Sequence, residues 1–219
     1  MTFDLSLLVQ YAPQLLTGFK LTVFVWLAGS LLAVVLGFAL GCALLSNNRA
    51  VSLPVRGYVE FFRGTPLLVQ LFVAYYGGPS IGITLDAFTV GVFGLGFYGA
   101  AYFAEIFRAG FASIPPGQID AARSFGIPRW ARILRIIVPQ MLVLSVPPGV
   151  TLLIILLKDT AILSIVTVPE LTFQVTGMTI ETFAFVEPFA VLAALYWGMT
   201  ELVAFLGRRA EYRLGRYLQ

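Results

Sequence analysis

Five apolar stretches, at about residues 17–45, 57–77, 88–108, 141–165 and 189–206, limit what this chain can fold into more than any other feature. A helical bilayer crossing takes about 20 residues. Hydrophobic residues make up 59% of the 219, and charged residues only 11%. A soluble domain carries roughly a quarter charged residues. Lipid offers no partner to a bare backbone, and runs this long do not alternate as barrel strands do. The expectation is an all-α membrane protein, one domain over residues 1–219 with five transmembrane helices.

Basic residues set the orientation. Arg49, Arg56 and Arg63 follow the first stretch; Arg108, Arg123, Arg129, Arg132 and Arg135 follow the third; Arg208, Arg209, Arg213 and Arg216 follow the fifth. Residues 78–87 and 166–188 contain neither lysine nor arginine. This bias predicts an external N-terminus and a cytoplasmic C-terminus. It also accounts for the net charge of +3, so nucleic acid is not an expected partner. The N-terminus has no basic region before its apolar run, so no cleaved signal peptide is expected. Cys42, the single cysteine, cannot form an intrachain disulfide and suits a small core position. With no histidine, no metal-spaced ligands and no G-x-S-x-G elbow, a metal site or membrane enzyme has little support.

Several positions inside the stretches are informative. Gly29, Ala33, Gly37 and Gly41 put small residues on one helix face, where a neighbouring backbone can approach. Gly64-Thr65-Pro66 predicts a broken helix restarted with Thr65 as its cap. Gln70 then lies in apolar surroundings, as glue between helices or as the lining of a polar pathway. Tyr98, Tyr102 and Glu105 recur at helical spacing, and Arg108 is placed to pair with Glu105. Pro147-Pro148-Gly149 predicts an interruption of the fourth stretch. Lys158 and Asp159 follow within apolar chain, where charges mark a ligand pathway or pair structurally, with each other or with Glu201. The segment 166–188, with Glu170, Glu181 and Glu187, is expected to be a re-entrant or surface helix near an external partner.

Residues 113–139 are basic, amphipathic and punctuated by turns. Pro115 and Pro116 suit a helix start, Asp120 the positive end of that helix, and Gly126 a left-handed stop. Pro128 can open a second short helix carrying Arg129, Arg132 and Arg135. Ala121 and Ala122 leave a surface that another body can approach closely. An ordinary basic loop at the lipid headgroups is the competing interpretation.

Here the residues resemble a known family. Asp120-Ala121-Ala122, Gly126, Ile136 and Pro139 reproduce the spacing of the "EAA" motif of ABC importer permeases, with Asp120 in place of glutamate and Val138 in place of leucine. Residues 63–70 resemble the second-span signature of polar amino-acid uptake permeases of the histidine, glutamine and arginine type. Residues 104–110, Ser113-Ile114-Pro115, Gly117-Gln118, Leu157-Lys158-Asp159-Thr160 and Pro169-Glu170-Leu171-Thr172 are similar to further segments of those proteins.

The resemblance implies a type I ABC importer permease in a bacterial inner membrane. Its partners would be a second permease subunit, two cytoplasmic ATPase subunits, an external solute-binding protein and an amino-acid solute. ATP and Mg would be bound by the partner ATPase, because this chain has no G-x-x-x-x-G-K-[ST] loop. Residues 113–139 would be the coupling loop, with Gly117, Asp120, Ala121, Ala122 and Gly126 docking on the ATPase. Solute contact is assigned to Gln70, Lys158, Asp159 and Thr160 on their polarity at depth. The alternative is a stand-alone ion-coupled secondary transporter, but five spans do not divide into equal inverted halves.

Overall fold

A computed structural model describes residues 5–215, so Arg216 lies outside the described residues. Every regular element among them is helical: α1 (Leu5–Leu44), α2 (Arg49–Gly64), α3 (Leu67–Phe72), α4 (Ala87–Ala112), α5 (Pro116–Ser124), α6 (Arg129–Arg132), α7 (Val138–Asp159), α8 (Leu171–Thr182) and α9 (Val186–Gly215). Four helical runs are long and apolar enough to cross a membrane: Ser6–Leu44, Ala87–Ala112, Arg129–Val166 and Val186–Gly215.

The stretch at 57–77 behaves differently from the single broken span expected of it. Its first part belongs to α2, which begins under the Asn48 side chain (accepting from the Ala50 amide at 3.0 Å) and presents mostly exposed residues. The backbone is extended at Thr65 (φ −119°) and Pro66 (φ −63°, ψ 139°), since a residue before proline is pushed out of the helical region. The helix does restart, as Leu67–Ile81, but Pro66 takes the cap position and not Thr65. The Thr65 hydroxyl instead donates to the Phe61 carbonyl at 2.8 Å.

The largest contact is between α1 and α4. A Cβ on Gly37 would overlap that of Phe103, and one on Gly41 would lie 2.9 Å from the Ala104 carbonyl oxygen. Gly99 of α4 would likewise meet the Ala33 Cβ at 2.8 Å. The small-residue face of the first stretch therefore packs inside the chain. The 40-residue α1 is about 60 Å long and begins well before residue 17.

The Pro147-Pro148-Gly149 interruption does not occur: α7 is continuous from Val138 to Asp159. Neighbouring helices and hydroxyls can re-satisfy backbone groups that proline frees within a membrane helix. Here Gly149 leaves room for the Phe103 ring beside the two prolines, and the Thr151 hydroxyl donates back to the Pro147 carbonyl one turn earlier in its own helix at 3.2 Å. The last expectation, for residues 166–188, is met in part. α8 is a helix, but Leu171, Val175, Met178 and Thr179 bury it against its neighbours, chiefly α1 and α9.

Gly37→Ala should lower the stability of the purified protein by about 1–3 kcal/mol, because Phe103 must move. Gly57→Ala, where a Cβ meets nothing within 4 Å, should leave it unchanged or raise it. Thermal unfolding of the two variants in one detergent compares them directly.

Candidate functional site

The loop after α4 folds as helix, corner and helix. α5 starts after Pro115 and ends at Gly126, whose φ of +70° favours glycine. The Ile127 amide donates to the Ala122 carbonyl at 3.0 Å and the Gly126 amide to that of Arg123 at 2.9 Å, closing the helix end. Pro128 opens α6. Asp120 sits beyond the first turn of α5, so it does not meet the helix dipole as expected; it pairs with exposed Arg123 at 3.3 Å, which contributes little.

The α5 residues point in different directions. Gly117, Asp120, Ala121 and Gly126 are exposed, and a Cβ at either glycine would meet nothing. Ala122 is only 4% exposed and faces the chain's own body. Sequence reasoning missed two neighbours: Phe125 is 85% exposed and Trp130 is 73% exposed, one on each side of the glycine corner. Two large aromatics in an otherwise basic loop were the available signal. Ile114 and Ile119 anchor the loop in the core, and Gln140 of α7 donates to the Gln118 side chain at 2.8 Å.

A second polar region runs between α2, α3, α4 and α7. The Gln70 side-chain amide donates to the Phe62 carbonyl, the Thr65 carbonyl and the Thr65 hydroxyl at 3.0, 3.1 and 2.8 Å. It thereby satisfies the end of α2, and its buried Oε1 has no hydrogen-bond partner. Among the described residues the ion pairs are Glu105–Arg108 (2.7 Å) and Asp120–Arg123, so Lys158 pairs with neither Asp159 nor Glu201. Lys158 is exposed and Asp159 half-buried. The Tyr98 hydroxyl lies 3.1 Å from that of Tyr102. The Arg63 guanidinium stands over the Tyr102 ring, 5.4 Å from its centre. Polar side chains thus follow one another along α4 from Tyr98 through Tyr102 to Glu105.

Thr160 turns away from this line into a buried cluster. Its hydroxyl lies 3.0 Å from that of Tyr196, which donates to Glu170 at 3.3 Å. Glu170 is 0% exposed, and caps α8 by accepting from the Thr172 and Phe173 amides at 2.8 Å each. Thr22 of α1 also donates to Glu170, at 3.4 Å, and accepts from the Leu171 amide at 3.0 Å. One carboxylate therefore joins α1, α8 and α9, and through Tyr196 the end of α7. Burial pushes the Glu170 carboxyl up to about 7, against the opposing pull of the two amides.

A bundle of long apolar helices, a line of polar side chains through it and a small helix projecting from one end define a multi-pass membrane permease. Residues 11–216 match the family of binding-protein-dependent transport system inner-membrane components, and the chain belongs to that family. It is 30% identical to the probable amino-acid ABC transporter permease YckA of Bacillus subtilis, over 99% of this chain and 96% of the relative. It is 34% identical to the octopine transport system permease OccM of Rhizobium radiobacter, over 98% of this chain and 91% of the relative. Its backbone matches a chain in the crystal structure of an amino acid ABC transporter with histidines, at a TM-score of 0.89 and 34% identity. That match covers 97% of this chain and 100% of the other. The protein is accordingly an inner-membrane permease subunit whose ATPase is a separate chain.

Glu170 gives stability a defined pH dependence. Its folded-state value of about 7 exceeds the ordinary 4.5, so between these values the folded state holds a proton that the unfolded state releases. Stability should fall as pH rises from 4.5 to 7, and Glu170→Gln should flatten that slope. Thermal unfolding in detergent across this window measures both.

Proposed function

We propose that this chain is the transmembrane permease subunit of an ATP-driven amino-acid importer, working by alternating access on solute delivered by an external binding protein. The observation that carries the reading is α5, a short helix with an exposed small-residue face beside two exposed aromatics, tied by Gln118 and Ile119 to the bundle. The relatives, described as amino-acid and octopine permeases, support the solute class. Nothing in the fold or the relatives favours an ion-coupled carrier.

The membrane unit is one domain with type I ABC importer architecture and five crossings. Leu67–Ile81 is the shortest of them. At 15 residues it spans about 22 Å, less than the hydrocarbon thickness, and so depends on neighbouring helices for cover. The N-terminus is external and the C-terminus cytoplasmic. The assembly contains a second permease subunit, identical or different, and two ATPase subunits that bind ATP and Mg.

Residues 113–139 form the coupling loop. Gly117, Asp120, Ala121 and Gly126 meet the ATPase together with Phe125 and Trp130, while Ala122 supports the helix from behind. Lys158 and Asp159 offer a cation and an anion to the carboxylate and ammonium of the solute. Thr160 steadies the helix end beneath them, and Gln70 has its Oε1 left to offer.

Two outcomes check this. In proteoliposomes containing the ATPase and binding protein, Ala121→Trp should abolish uptake while solute affinity of the binding protein is unchanged; full uptake would contradict docking at α5. Asp159→Asn should lower uptake at least about ten-fold, as expected when a charged contact is lost. Normal uptake by that variant would remove Asp159 from the solute site.

A further inference from the structure

The end of α9 carries a cationic face that includes none of the residues assigned to solute or ATPase. Phe205, Arg208, Arg209, Tyr212 and Arg213 recur at i, i+3, i+4, i+7 and i+8, the spacing of one helix face. They line a cavity of about 310 Å³. Gly207 lies on the opposite side of the helix, packed so closely on α7 that a Cβ there would overlap Val150. The arginine face therefore points away from the bundle.

The three cations have no anion of their own. Among the described residues none of them forms an ion pair, although Glu211 follows Arg208 by three residues. Glu201, seven residues before Arg208, is about 10 Å away along the axis. The helix dipole favours Arg213 in the last turn, but its effect does not reach Arg208 and Arg209. The Arg209 guanidinium lies over the Phe205 ring, 4.6 Å from its centre, which fixes its direction.

Depth identifies what meets this face. With 30 residues α9 is about 45 Å long, enough to run through the hydrocarbon and into both headgroup layers. Its apolar stretch ends at Leu206 and the arginines follow at once, at the level of lipid phosphates. Leu206 and Leu202, both exposed, lie three and seven residues before Arg209 and continue its side of the helix toward the membrane. A cationic cavity flanked by aromatics above an apolar strip matches a lipid with an anionic head.

We propose that this face of α9 seats one anionic phospholipid. Arg208, Arg209 and Arg213 hold the phosphodiester, and an acyl chain lies along Leu206 and Leu202. Because three cations converge, the site accepts a headgroup with net negative charge and rejects one that carries its own quaternary ammonium. The inference needs only that α9 crosses a membrane; it depends neither on the solute nor on the side the C-terminus faces.

The test takes the complete transporter, permease with ATPase, into mixed micelles holding equal phosphatidylglycerol and phosphatidylcholine. Native mass spectrometry then counts the lipid that each complex retains. Phosphatidylglycerol should be retained at least about ten-fold over phosphatidylcholine, the effect of several arginines on one headgroup. Arg209→Gln combined with Arg213→Gln should remove that preference. Arg49→Gln combined with Arg129→Gln, the same loss of charge at exposed arginines elsewhere, should keep it. A phosphatidylglycerol with a photoactivatable diazirine in its headgroup should crosslink to residues 205–213 of the unmodified chain.

Equal retention of the two lipids would overturn the proposal. So would equal loss in both variant pairs, since the attraction would then be diffuse. Displacement of the lipid by excess inorganic phosphate would make this a site for a soluble anion, and retention only after the ATPase is removed would make it a protein contact; either result refutes the lipid assignment. If the neutral variants fail to assemble, the crosslink decides: capture on residues 205–213 supports the site, and capture only elsewhere overturns it.

Discussion

In lipid, a polar group that finds no partner within the protein finds none at all, and this requirement organises the structure around its irregular points. Where Pro66 breaks the chain, the Gln70 amide reaches back to the exposed end of α2. Where α8 begins inside the bundle, the buried Glu170 carboxylate accepts its first amides and receives hydroxyls from α1 and α9.

The close packing of α1 on α4 provides the opposite property. Glycines at the contact leave no space for sliding without collision, so these two helices form a rigid pair. The loop that carries α5 and α6 hangs from the end of α4 and continues into α7. Ile114 and Ile119 are embedded in the same core as α4, and Gln118 is bonded to Gln140 on α7. The α5 segment is therefore fastened to both α4 and α7.

Local chemistry was readable from the sequence wherever one residue type dictated one geometry. Gly126 stops α5 because few other residues take its φ, and Pro66 breaks the second stretch because the residue before a proline is driven extended. Spacing also sufficed for the small face of α1 and for the Glu105–Arg108 pair. What depended on other helices was not readable. The continuity of α7 through two prolines depends on its neighbours, among them the Phe103 ring beside Gly149; Lys158 and Asp159 looked like partners by adjacency, but adjacent helical residues point apart. Glu170 looked like one acid of a polar outer segment, because only the packing of α1, α8 and α9 buries it. The direction of Ala122 was equally hidden, as an alanine reports size and not facing.

The central claim is that the exposed face of α5 is where a separate ATPase meets this chain from the cytoplasm. It is tested most directly by a single cysteine at position 117, introduced without Cys42, and a membrane-impermeant maleimide applied to either face of sealed vesicles. The account predicts rapid labelling from the cytoplasmic face of the permease alone, strong protection when the ATPase is bound, and none from outside. Labelling from the outer face, or labelling indifferent to the ATPase, would contradict it.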